Sequence, residues 1–206
     1  MRTKNELGNG SHGTVGGRAR RDQIERAAAE VLADIGYAAT SVGRIAEHSG
    51  VSKGVITYHF ASKDELLRGM ALRVFQECTA HIDARTSDVI TPVARLRAGL
   101  SAELDFFSSR RMEFRAMAEV VANHRNASFV RAFQDVSTAR TEALVDLLVE
   151  GQALDQFRAF DANEVAHLIS ATKNGLLDRW SSDETLDLAA VSATVLHFVE
   201  RAVSTR

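Results

Sequence analysis

At 206 residues, with 45% apolar side chains and a formal charge of −2, the chain is long enough to bury a core as one large domain or two modest ones. No window approaches the roughly eighteen uninterrupted apolar residues of a membrane helix, and the opening MRTKNELGNGSHGTVGGRARR lacks a signal-peptide core, so an ordinary soluble protein with a cytoplasmic location is expected. Cys78 is the only cysteine; it excludes an internal disulfide and, lying on an apolar stripe, is expected simply to be buried.

Residues 1–63 hold nine Lys/Arg against six Asp/Glu, and the remainder sixteen against twenty-one. A basic N-terminal part on an acidic body suits a nucleic-acid contact at one end. Residues 1–17 contain Gly8, Gly10, Gly13, Gly16 and Gly17, a composition that does not offset the entropy of ordering, and read as a disordered arm. Arg18, Arg20 and Arg21 close it, either as solvated charge or as a DNA backbone or minor-groove contact.

From Arg21 the pattern turns helical, with Ile24, Ala27, Ala28, Val31, Leu32 and Ile35 at three- and four-residue steps and Gly36 as C-cap. Thr40 and Ser41 offer N-cap oxygens to a short helix carrying Val42, Ile45 and Ala46, which stops at Ser49-Gly50. Ser52 caps a third helix with Ile56 and Phe60 one turn apart and Val51 at its entrance. Ser62 caps a long fourth, with Asp64 and Glu65 in its first turn and Leu66, Leu67, Met70, Ala71, Val74, Phe75 and Cys78 along it. Helical periodicity continues, predicting helices near 91–108 (Pro92 at the start), 112–123, 127–150, 162–180 and 186–203. The expected fold is all-α with about nine helices: an arm (1–17), a DNA-binding unit (18–78, motif 41–60) and a helical bundle for ligand binding and dimerisation (79–206).

Two short helices joined by a tight glycine-containing turn, with a helix before and a long one after, describe a helix-turn-helix in which Ser52–Phe60 enters the major groove. With Val51, Ile56 and Phe60 inward, Ser52, Lys53, Thr57, Tyr58 and His59 remain for a partner. Lys53 suits a guanine edge or a phosphate, Thr57 a thymine, and Tyr58 and His59 phosphate oxygens; Gly54 leaves room for close approach. The N–H groups opening helix 4, with Lys63, form a second phosphate site. The opposing reading makes Tyr58 and His59 packing residues and Lys53 and Lys63 solvated charges.

The stretch TSVGRIAEHSGVSKGVITYHFASKDELL, residues 40–67, resembles the signature of the tetracycline-repressor family in Thr40-Ser41, Ile45-Ala46, the Gly50–Gly54 turn, the aromatic end at Phe60 and Ser62-Lys63. The resemblance implies DNA contacts at Ser41, Arg44, Lys53, Gly54, Thr57, Tyr58, His59 and Lys63. Thr57 stands where the family usually has tyrosine, and Gly43 where a polar side chain is common, so the reading surface is reduced. The resemblance further implies a repressor released by a small apolar or amphipathic effector that rotates helix 4.

A helix-turn-helix protein usually works as a two-fold dimer, its reading helices about 34 Å apart on a palindromic duplex. The last two predicted helices, striped by Val165, Leu168, Ile169, Leu176 and Trp180 and by Leu188, Val191, Val195, Phe198 and Val199, are the natural interface as a four-helix bundle; the alternative is that both stripes are intrachain core. Phe106, Phe107, Phe114, Met117, Phe129, Phe133, Phe157 and Phe160 concentrate between reader and dimer helices. They are the expected wall of any effector cavity, with Asn123, His124, Asn174 or Glu119 as polar anchors. The histidines His12, His48, His59, His81, His124, His167 and His197 match no zinc spacing, and no phosphate loop, dinucleotide fingerprint or nucleophile elbow is present, so neither cofactor nor metal is expected. Two other classes remain: an all-helical enzyme acting on an apolar substrate, which would turn over without affinity for DNA, and an effector-independent DNA-binding activator.

Overall fold

The computed structural model describes residues 15–123 and 127–205. The described chain forms α1 (Val15–Ala39), α2 (Val42–Ser49), α3 (Lys53–His59), α4 (Lys63–Thr86), α5 (Pro92–Ser108), α6 (Arg111–Asn123), α7 (Ala127–Ala153), α8 (Ala162–Ser182) and α9 (Leu188–Val203). Among the described residues the only β contact is an isolated bridge between Phe157 and Ser204, so the all-α expectation holds and each body helix lies within three residues of its predicted bounds.

The ends follow from local chemistry. Ser41, Ser52, Ser62 and Thr91 accept through their side chains from the backbone N–H groups of Arg44, Val55, Glu65 and Ala94, satisfying donors that the first turn leaves unpaired. Of the two hydroxyls at positions 40 and 41 only Ser41 caps α2; Thr40 turns back and donates to the Gly36 carbonyl at 2.7 Å. Gly50 ends α2 at φ 68°, and Gly36 breaks α1 at φ 75°, conformations costly to any residue with a Cβ. Helix α1 starts at Val15 rather than Arg21: extending an existing helix adds a hydrogen bond per residue without a new nucleus, which offsets the cost of about 1 kcal/mol for each of Gly16 and Gly17. Most of the expected arm, residues 1–14, lies outside the described residues.

Helices α1, α2 and α4 enclose Ile24, Leu32, Ile45, Leu66 and Met70, with Ile56 and Phe60 of α3 sealing the cluster. The same cluster continues without a break through Val74 and Cys78 into Phe107, Phe114, Val120, Leu177 and Trp180 of the body. A second cluster lies farther from α3 and joins Leu96 and Leu100, Leu148, Phe157, Ile169, Leu196 and Val199. A charge network fastens α1 to α4 and α6: Arg73 of α4 lies 3.3 Å from Glu25, 2.7 Å from Glu77 and 3.7 Å from Glu113, and Arg21 is 3.5 Å from Glu25. Glu25 is buried, and desolvation pushes its carboxyl above the usual range despite the opposing pull of Arg21 and Arg73. Arg73 touches Glu77 as a hydrogen bond, whereas its approaches to Glu25 and Glu113 are ion pairs without hydrogen-bond alignment.

Candidate nucleic-acid interface and ligand cavity

Helix α3 is seven residues long, too short to stand alone, and its position comes from what it buries. Ile56 and Phe60 are almost fully enclosed, Val51 and Val55 pack partly against the same core, and Ser52, Lys53, Gly54, Thr57 and Tyr58 are left exposed. Ser41 and Arg44 of the preceding turn and α2 are exposed alongside. Tyr58 is 60% exposed, with the half-buried His59 ring edge-on to it at 5.1 Å. The Thr57 hydroxyl donates to the Gly54 carbonyl at 3.1 Å, which fixes this exposed side chain against its own helix. Lys53 lies across Gly43: a Cβ on residue 43 would sit 3.0 Å from Lys53 Cε and 3.2 Å from its Nζ. The glycine at position 43 therefore makes room for the lysine.

Side chains from α1 hold this surface from behind. Arg21 donates to the His59 carbonyl at 3.1 Å and stacks 4.2 Å over the Phe60 ring, and Gln23 donates to the Ser49 carbonyl at 3.3 Å. Arg21 thus satisfies an end carbonyl of α3 rather than extending into solvent with Arg20, which is exposed and bonded to Gln23. Lys63, half-buried, donates to the Tyr37 carbonyl at 2.8 Å with its ammonium 4.5 Å from the Tyr37 ring centre, tying the end of α1 to the start of α4.

A cavity of about 630 Å³ opens among α4, α5, α6, α7 and α8. Phe114, Met117, Phe133 and Asn174 line it as expected from sequence, joined by Phe75, Cys78 and Phe107. Phe106 does not: it is buried beside Phe107, with His81 and Arg110 against its ring, because adjacent residues on a helix face different ways. Phe157 and Phe160 belong to the second core cluster, and Asn123 donates to Glu119, neither residue reaching the cavity. His124 lies outside the described residues. The feature sequence reading missed is a charged cluster on the wall, where Glu103 accepts from Lys173 at 2.8 Å and from Arg140 at 2.7 Å. Its trace was present: Glu103 interrupts the stripe Leu96, Leu100, Phe107, and Lys173 interrupts Ala166, Ile169, Leu177, Trp180.

On α8 and α9 the apolar residues divide. Leu176 and Trp180 are 7% and 2% exposed within the single chain, so they are intrachain core and not free interface, Trp180 packing on Phe114 and under Arg111. Val191 and Val195 are half-buried against the core. Leu168 and Phe198 are 64% and 60% exposed. Around them lie the exposed small residues Ala171 and Gly175 on α8 and Ala190 and Thr194 on α9, a face on which another helix pair can approach closely.

Among the described residues no group of His, Cys, Asp or Glu has a metal-holding arrangement, and no helix is long and apolar enough to cross a membrane. A capped two-helix turn, its second helix mounted on a buried Ile and Phe with polar side chains outward, defines a helix-turn-helix protein. Residues 24–70 match the model of bacterial regulatory proteins of the tetR family. The chain is 31% identical over 150 residues to the HTH-type transcriptional repressor KstR2 of Mycolicibacterium smegmatis, the match covering 68% of each. It is 32% identical over 142 residues to the HTH-type transcriptional activator FasR of the same organism, covering 68% of this chain and 64% of that relative, just under two thirds of its length. A regulator from Saccharomonospora viridis, solved in complex with choline, superposes with a TM-score of 0.81 at 22% identity, over 92% of this chain and all of the other. The chain belongs to the tetR family of bacterial regulatory proteins.

Proposed function

We propose that the protein is a homodimeric, sequence-specific DNA-binding transcriptional repressor, released from a palindromic operator by a small amphipathic effector. The observation that carries the reading is α3, whose buried Ile56 and Phe60 hold Ser52, Lys53, Gly54, Thr57 and Tyr58 outward, with Ser41 and Arg44 beside them. In this reading Lys53 and Thr57 address base edges, while Tyr58, His59, Lys63 and the N–H groups opening α4 address phosphates. Residues 18–78 are the DNA-binding unit and 79–206 the sensing and pairing body, acting in the cytoplasm.

Dimerisation is assigned to the exposed face of α8 and α9 around Leu168 and Phe198, and effector binding to the cavity lined by Phe114, Met117, Phe133 and Asn174. The cavity's size falls within the roughly 300–1,000 Å³ of small-molecule sites. Cys78 on α4 borders the cavity while Lys63 opens the same helix beside α3; filling the cavity displaces α4 and with it the reading helices, so DNA and effector weaken each other's binding. The role is binding rather than turnover. Repression needs only occupancy of the operator, and in vitro transcription from the bound promoter separates it from activation.

The test is binding of the purified protein to the intergenic DNA upstream of its gene against a scrambled duplex at two salt concentrations, with Tyr58→Ala as control. Selective binding, weakened on both duplexes in the variant, is the expected result; equal affinity of the unaltered protein for both duplexes would overturn the reading.

A further inference from the structure

The charged cluster on the cavity wall is out of balance. Glu103 of α5 is 6% exposed, and its carboxylate accepts from Lys173 of α8 at 2.8 Å through both oxygens and from Arg140 of α7 at 2.7 Å. One carboxylate thus faces two cations in a largely buried place, the side chains of Lys173 and Arg140 being 12% and 26% exposed. A buried charge left uncompensated is costly, so the site favours one further negative charge.

Among the described lining residues, none supplies it. The Cys78 thiol is the nearest candidate, but burial and the Glu103 carboxylate push it up to about 12, so it stays protonated. Asp83 lines the cavity but is exposed to water, and Arg95 is taken by Glu150 at 2.5 Å. The Arg140 guanidinium is held with its carbon 5.1 Å from the Phe75 ring centre; one terminal nitrogen donates to Glu103, and the group also meets the Cys78 sulfur. Its planar fork suits a second carboxylate in a way that a point charge does not.

We propose that the effector is a carboxylate amphiphile whose head group sits between Arg140 and Lys173 beside Glu103, with its apolar tail against Phe75, Phe107, Phe114 and Phe133. This rests on the assignment of the cavity as the effector site. A quaternary ammonium would meet two cations across a single carboxylate, and a neutral alcohol would leave the excess charge uncompensated.

The experiment titrates the full-length protein with decanoate, decanol and decyltrimethylammonium, each below its micelle concentration, by calorimetry and by release of operator DNA. Decanoate is expected to bind about tenfold or more tightly than decanol, a preference typical of charge-assisted hydrogen bonds, and decyltrimethylammonium to show no saturable binding. Lys173→Met and Arg140→Leu are expected to remove that preference, read as the ratio of the two affinities, and Glu103→Gln to retain or tighten decanoate binding. Equal binding of decanol and decanoate, both releasing DNA, would overturn the head-group site and leave the effector cavity standing; tighter binding of the ammonium would do the same. Failure of all three to bind would overturn both. The comparison of head groups on the unaltered protein holds even where a variant fails to fold.

Discussion

Gly43 and Lys53 form a pair that neither residue type announces alone. In the sequence Gly43 reads as a lost contact on the second helix, yet in the structure the missing Cβ gives the lysine its resting place on the reading surface. Gly43→Ala adds up to about 1 kcal/mol of helix propensity and displaces only the flexible end of Lys53. The expected outcome is an unchanged or higher melting temperature with an altered base preference, read by selection from a randomised operator library. Tyr58 and Lys63 separate in the same way. Tyr58→Ala should lower affinity on every duplex while leaving the salt slope unchanged, because its neutral hydroxyl releases no counterion. Lys63→Ala should lower affinity on every duplex, flatten the salt slope by about one unit, and also lower stability by about 1–3 kcal/mol, because it abolishes the tie to the Tyr37 carbonyl. A salt slope unchanged by Lys63→Ala would remove Lys63 from the phosphate contacts, and an affinity unchanged by Tyr58→Ala would remove Tyr58. What was legible at this scale was which residues face outward, since periodicity encodes that. Partners far apart in sequence, such as Lys63 with Tyr37 at 26 residues or Arg21 with the His59 carbonyl at 38, leave no periodic trace.

Helix existence was legible almost throughout, because caps and spacing are local. Ser41, Ser52 and Ser62 mark starts, Gly50 marks a stop, Gly36 marks a break within α1 rather than its end, and Pro92 opens α5. The start of α1 was not, since glycine-rich composition argues for a coil while cooperative extension argues for a helix. How the elements are fastened was also hidden: nothing in the spacing of Glu25, Arg73 and Glu113 shows that they converge across α1, α4 and α6. Removing the shared cation by Arg73→Ala leaves Glu25 enclosed with Arg21 as its remaining partner, and a loss of about 3–5 kcal/mol is expected in denaturant unfolding. Burial raises the Glu25 carboxyl above its unfolded value, so its contribution to stability is fully present below the unfolded pKa and is lost as pH rises through the folded one. Glu25→Gln should therefore flatten the fall in stability between about pH 4 and neutrality, measured as the difference in unfolding free energy at the two pH values.

At the scale of the molecule, the sequence placed apolar stripes on the last two helices without resolving which residues face inward, because core and interface share one pattern. The structure divides them into buried Leu176 and Trp180 and exposed Leu168 and Phe198. Leu168→Glu and Phe198→Glu are expected to yield folded monomers by light scattering, with operator binding lost. Trp180→Ala should instead lower stability by about 3–5 kcal/mol, and a variant at Leu168 that remains dimeric would move the pairing surface elsewhere. The charged cluster inside the cavity escaped for a related reason: an isolated Glu103, Arg140 or Lys173 gains its meaning only when other helices bring its counterparts across.

The apolar cluster that begins under α3 at Ile56 and ends at Leu188 has no seam at the start of the body. Residues 18–78 cut free would present Met70, Val74 and Cys78 to water and lose the aromatic neighbours on α5 and α6 that cover them. The chain is then expected to melt in a single calorimetric transition, with the reading helices and the cavity sharing one stability. Whatever loosens one loosens the other, and coupling between them needs no hinge.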